Sequence, residues 1–90
     1  MLTLTDCLGL CELTAEEVDA IAEHEHVPEI LAAEIGAYLL RTDGGPSVIA
    51  RMVLDDIDRA VAQADHRHAA KLKLTLRHFC ESHADAGTFV

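Results

Sequence analysis

The chain has 90 residues, 50% of them hydrophobic, and a formal net charge of −9. This length and composition favour one small folded domain over residues 1–90 and argue against disorder. The negative charge disfavours binding to the phosphates of nucleic acids and to anionic membrane surfaces.

The first clear element is a helix that follows a short N-terminal turn. Aromatic residues make up only 3% of the chain, so the core must consist of Leu, Ile, Val and Ala, a set that suits helices. Thr14 and Glu17 have the spacing of a capping box, and Leu13 and Val18 have that of a hydrophobic staple. These signals predict the first helix over residues 15–25.

The second predicted helix, residues 28–41, is apolar on almost all sides. Pro28 ends the first helix and suits the first position of the second. Ala33, Gly36 and Ala37 leave a smooth surface where another backbone can approach. Such a helix is either central or covered by a partner, and a small monomer has difficulty covering both of its faces. The second helix therefore predicts a homodimer.

Two further helices follow a Gly- and Pro-containing break at residues 42–46. Apolar residues at helical spacing predict them over residues 47–64 and 66–83. Asp65 is a suitable N-cap between them, although without a break there they would form one long kinked helix. The predicted fold class is therefore all-α, a small four-helix bundle-like domain.

Histidines and carboxylates offer candidate metal ligands along the chain, which contains six histidines. Glu23 and His26 have the Glu-x-x-His spacing of ferritin-like di-iron bundles. Glu34 and His68 are polar residues set among apolar ones. We predict these four residues as candidate ligands for iron or zinc.

A weaker set of candidates adds two acids and a group of cysteines. Of the two acids, Asp56 is on the apolar stripe of the third helix and Asp65 lies three residues before His68. Cys7 and Cys11 would form a separate zinc site with Cys80 and His83 if the two ends of the chain met. These weaker candidates are Asp56, Asp65, Cys7, Cys11, Cys80 and His83.

Each main candidate also has a structural interpretation that needs no ligand. His26 lies where Pro28 ends a helix, and imidazoles suit the exposed carbonyls of a helix C-terminus. Glu34 can lie at the edge of a buried face, and His68 can be a core histidine with one hydrogen bond. Nucleophilic catalysis has little support, because Cys80 falls on the apolar side of its helix.

Three stretches resemble a group of small bacterial all-helical proteins: residues 20–29, 33–36 and 72–79. The resemblance covers most of residues 13–83. It implies a bacterial source and adds no activity, because that group has none assigned.

These features predict a non-enzymatic interaction or accessory protein that is homodimeric and needs no cofactor. The absence of signal-peptide features, of a long apolar run and of disulfide spacing predicts a soluble, cytoplasmic protein that binds neither membranes nor nucleic acids. A metal-binding protein is the alternative. A third hypothesis is a pH-responsive switch in which the helix-end histidines charge together. Those histidines are His24, His26, His66 and His68.

Overall fold

Four helices make up most of the computed structural model, which describes residues 13–83. They are α1 (Ala15–Glu25), α2 (Glu29–Leu40), α3 (Gly45–Ala62) and α4 (His66–Ser82). The helices pack against one another, so the predicted all-α, bundle-like fold is confirmed. The predicted N-terminal turn lies outside the described residues.

The start of α1 has the capping box that the sequence predicts. The backbone N–H of Glu17 donates to Thr14 Oγ1 at 3.2 Å, and the backbone N–H of Thr14 donates to Glu17 Oε1 at 3.0 Å. Two of the free N–H groups at the helix start are thereby satisfied. Leu13 and Val18, the two residues of the predicted staple, are buried in the core.

The residue after the end of α1 is His26, which adopts the left-handed conformation with φ 57°. The N–H of the next residue, Val27, donates to the carbonyl of Ala22 at 3.2 Å. This is the reversed bond of a Schellman-type helix end, a position where glycine is the usual residue. His26 therefore has a conformational role at the turn between α1 and α2.

The starts of α2 and α3 differ from the predictions by one and two residues. Pro28 is the N-cap of α2 and not its first helical residue. α3 begins at Gly45, and the left-handed Gly44 (φ 77°) is its N-cap. Gly45 has no room for a side chain, because a Cβ there would collide with the carbonyl group of Leu39. The chain can therefore turn back directly from α2 into α3.

A break separates α3 from α4. They are therefore two helices and not one long kinked helix. Ala64 is left-handed with φ 59°. Its N–H donates to Val61 at 3.0 Å, and the N–H of Asp65 donates to Ala60 at 2.8 Å. These two bonds form a Schellman motif without glycine. Asp65 is the N-cap of α4 as predicted, because its Oδ1 accepts the backbone N–H of His68 at 3.2 Å.

The core lies between all four helices, and the α3–α4 contact is the most extensive. α2 packs against α1 and α3. Its Gly36 approaches Leu13 and Ile21 so closely that a Cβ would collide with the Leu13 side chain. The smooth surface of α2 therefore packs against its own chain. The largest fully buried apolar side chains are Phe79, Ile21, Ile49, Val18 and Val53.

Candidate functional site

The most polar junction in the described structure lies where α1, α3 and α4 meet. His68 Nε2 on α4 is 2.7 Å from Glu23 Oε1 on α1. His24 Nε2 is 3.5 Å from Asp55 Oδ2 on α3, and His24 Nδ1 is 2.9 Å from Glu25 Oε2. We call this junction the polar corner, defined as Glu23, His24, Asp55, Asp56 and His68.

Asp56 is the buried member of the polar corner. Its side chain has no exposed surface, and neither carboxylate oxygen has a hydrogen-bond partner in the structure. Arg59 Nη1, on a half-exposed side chain, lies 3.5 Å from Oδ1. Burial raises the pKa of Asp56 and the Glu23 charge raises it further, whereas His24 and Arg59 oppose the rise. Asp56 is therefore an incompletely paired carboxyl group next to an ionisable cluster.

Of the four main candidate ligands, the fold brings two together. Glu23 and His68 form the 2.7 Å pair although they are 45 residues apart. His26 is exposed at the end of α1, and Glu34 is exposed on α2. Among residues 13–83 there is no group of three His, Cys, Asp or Glu side chains that could hold a metal ion.

The weaker candidates are dispersed. Asp65 caps α4. Burial raises the pKa of the half-buried Cys80, which favours the protonated thiol over the nucleophilic thiolate. The His83 ring packs on Phe79 with ring centroids 4.6 Å apart. Cys7 and Cys11 lie outside the described residues.

A second carboxylate–imidazole contact was not anticipated from the sequence. Glu17, which is only 2% exposed, accepts from Thr14 through Oε1, and its Oε2 lies 3.1 Å from His78 Nδ1. The capping box identified Glu17, but its partner on α4 is 61 residues away. No local sequence signal indicates this contact, because it depends on how α1 and α4 pack against each other.

The outer surface of α2 carries two of the large apolar side chains that are exposed in the described structure. Leu31 is 42% exposed and Tyr38 is 68% exposed. Glu34 is exposed and Ile35 is half-buried between them. These four residues have the spacing of one helix face, which we call the α2 outer face.

The burial pattern of α2 is inverted with respect to an ordinary amphipathic helix. Its buried residues are the small ones, Ala32, Ala33 and Gly36, whereas its large side chains Leu31 and Tyr38 face outward. Large apolar side chains contribute most when they are removed from water. Residues 13–83 therefore leave two large apolar side chains of α2, Leu31 and Tyr38, exposed, whereas its other large apolar residues are partly buried against the core.

The chain matches no protein-family model, no curated protein and no solved structure. None of the described helices is long and apolar enough to cross a membrane. The polar corner and the α2 outer face are therefore the two candidate functional features of the described residues.

Proposed function

We propose that the protein is a small, non-enzymatic helical interaction module that forms a homodimer through the α2 outer face. The inverted burial of α2 supports this most strongly, because Tyr38 is 68% exposed while Ala32 and Ala33 are buried. Exposed apolar patches on small proteins often mark interaction sites. The odd number of cysteines, three, and their spacing support a cytoplasmic location.

A second copy of the same face is a suitable partner for it. In a two-fold symmetric interface the same surface of each protomer meets itself. Leu31 and Tyr38 are seven residues apart, about two helical turns. In an antiparallel pair of α2 helices, the Leu31 end of one helix packs against the Tyr38 end of the other. The contact covers both apolar ends, and it brings the two Glu34 carboxylates near its centre, where their like charges oppose the association.

Sedimentation equilibrium of the whole chain at micromolar concentration tests the dimer. We expect the unmodified protein to be dimeric and Tyr38→Glu to be monomeric, because each interface would contain two added charges without partners. Leu74→Glu is the matched control. Leu74 is 67% exposed on α4, almost as much as Tyr38, but lies outside the α2 outer face. It should leave the dimer intact.

Two results would contradict the proposed homodimer. One is a monomeric unmodified protein at these concentrations. The other is dissociation by Leu74→Glu to the same degree as by Tyr38→Glu, since a specific interface depends on the position of the added charge. Circular dichroism of each variant shows whether its helices are intact. Because both substitutions lie on exposed surface, each variant should keep its helical signal, and a change in oligomeric state then reports on the interface.

Metal binding is the second candidate function, and the 2.7 Å contact between Glu23 and His68 supports it. Carboxylate and imidazole are suitable ligands for iron or zinc, but a stable site needs more than two of them. Elemental analysis of untagged protein, followed by titration with Fe(II) or Zn(II), tests this function. Binding that is lost in Glu23→Ala would support it. Protein that stays metal-free in the titration would exclude it.

A further inference from the structure

A groove runs between α3 and α4 on a part of the surface separate from the α2 outer face. Its volume is about 410 Å³, within the range of small-molecule sites. The floor is apolar and consists of Leu54 and Ile57 from α3 with Leu76 and Cys80 from α4. Ile57 and Leu76 are each only 6% exposed, so the floor is continuous with the core.

The rim of the groove carries two cations in a protein that is otherwise acidic. Lys73 and Arg77 line it one turn apart on α4. Lys73 has no ion-pair partner among residues 13–83. Among the described residues, Arg77 has one ion-pair contact, an exposed one with Glu81 at 3.8 Å between Nε and Oε2. The rim therefore offers positive charge to a ligand.

This positive charge belongs to α4 as a whole. Four of the seven Lys and Arg residues of the chain lie on α4, where Glu81 is the only acid. A ligand for the groove must therefore combine an apolar body with a negative group. Glu81 also lines the groove and contacts Arg77, so the negative group is best placed next to Lys73, on the side of Arg77 that faces away from that carboxylate.

The length of the groove favours a small molecule over a helical peptide. The lining residues of α4 run from Lys73 to Glu81, a stretch of nine residues that spans about 12 Å of helix. An isolated peptide helix needs at least about 12–15 residues to be even marginally stable in water, which is longer than this floor.

We propose that the α3–α4 groove binds a medium-chain aliphatic carboxylate. The hydrocarbon chain lies on Ile57, Leu76 and Cys80, and the carboxylate accepts hydrogen bonds from Lys73 and Arg77. Burial of the chain supplies the apolar part of the affinity. The two cations select a carboxylate over an amphiphile of opposite charge.

Isothermal titration of the whole protein with decanoate below its micelle concentration tests this site. We expect decanoate to bind and decyltrimethylammonium to bind at least about tenfold more weakly, because it meets two cations. Lys73→Gln should weaken decanoate binding about three- to tenfold. Lys71→Gln is the matched control, since Lys71 carries the same charge on the same helix but does not line the groove.

Cys80 provides an independent readout at the floor. Bound decanoate should slow alkylation of Cys80 by iodoacetamide, measured by peptide mass spectrometry, with a cysteine-containing peptide added to the reaction as the reference. Four results would overturn the proposal. Three are no decanoate binding, equal binding of the two amphiphiles, and equal effects of the two lysine substitutions. The fourth is binding that leaves Cys80 alkylation unchanged, because the ligand would then lie elsewhere.

Discussion

Replacing Asp56 with asparagine removes a buried negative charge while keeping the size of the side chain. Among the described residues, the ionised carboxylate has no hydrogen bond, and its nearest ion-pair partner is Arg59 at 3.5 Å. The pKa of Asp56 is raised above its ordinary value of 3.8, mainly by burial. The folded state therefore holds the proton to higher pH than the unfolded chain does. The contribution of Asp56 to stability falls as pH rises through the interval between the two pKa values.

The magnitude follows from two opposing effects. A buried polar group without a hydrogen bond costs about 1–3 kcal/mol, and more when it is charged. Arg59 offsets part of this cost, but its side chain is half exposed, which limits the pair to about 1 kcal/mol. The asparagine amide would also lack hydrogen-bond partners, so the substitution removes only part of this cost. We expect Asp56→Asn to be about 1–2 kcal/mol more stable than the unmodified protein near neutral pH.

Urea unfolding followed by circular dichroism, at steps between about pH 3.5 and 8, measures this effect. The two proteins should have similar stability at the acidic end, and the advantage of Asp56→Asn should grow as pH rises. A single protein concentration is needed, because dimerisation would make stability depend on concentration. Glu29, whose pKa is raised chiefly by its hydrogen bond with Asp19, contributes equally to both proteins and cancels in the difference.

Asp58→Asn is the control, because Asp58 is exposed on the same helix. Its effect should stay within about 0.5 kcal/mol at every pH. The reasoning is refuted if Asp56→Asn is the less stable protein at neutral pH. That result would mean that the ionised carboxylate is stabilised in the folded state more than its contacts indicate.

Three further substitutions test local features of the fold. Thr14→Ala removes the capping side chain of α1 and should lower the free energy of unfolding by about 1 kcal/mol, measured in urea. Ala64→Gly relieves the left-handed strain in the α3–α4 turn and should raise the melting temperature, corresponding to a gain of about 0.5–1 kcal/mol; an unchanged or lower temperature would contradict it. A double-mutant cycle of Glu23→Gln and His68→Gln should give a coupling below about 1 kcal/mol, because both side chains are about one-third exposed; a larger coupling would indicate a pair shielded from solvent.

Helix positions could be predicted from the sequence wherever a side chain makes a local bond. The Thr14–Glu17 capping box and the Asp65 cap both act over three residues, and the helices that they begin start where predicted. The start of α3 was predicted two residues late, because its N-cap is a left-handed glycine without a capping side chain. At Ala64 the chain turns left-handed without a glycine, so residue type alone could not establish the break.

The candidate site was less predictable, because its contacts join distant parts of the chain. The apolar spacing around Asp56 places it on the buried stripe of its helix. This spacing does not reveal whether a cationic side chain or a carboxylate on α1 faces Asp56. Likewise, the sequence predicts both Glu23 and His68 as candidate ligands, but their contact depends on how α1 and α4 are rotated against each other. Glu34 and His26, chosen by similar patterns, remain on separate exposed surfaces.

The inverted burial of α2 separates the requirements of folding from those of recognition within one helix. Residue size at Ala32, Ala33 and Gly36 is restricted by the chain's own interior, since even a methyl group at Gly36 would meet Leu13. Leu31 and Tyr38 have no comparable restriction from the described fold. The outer residues of α2 can therefore be exchanged without disturbing the packing of the described fold, so the proposed interface could be redesigned while the scaffold is kept.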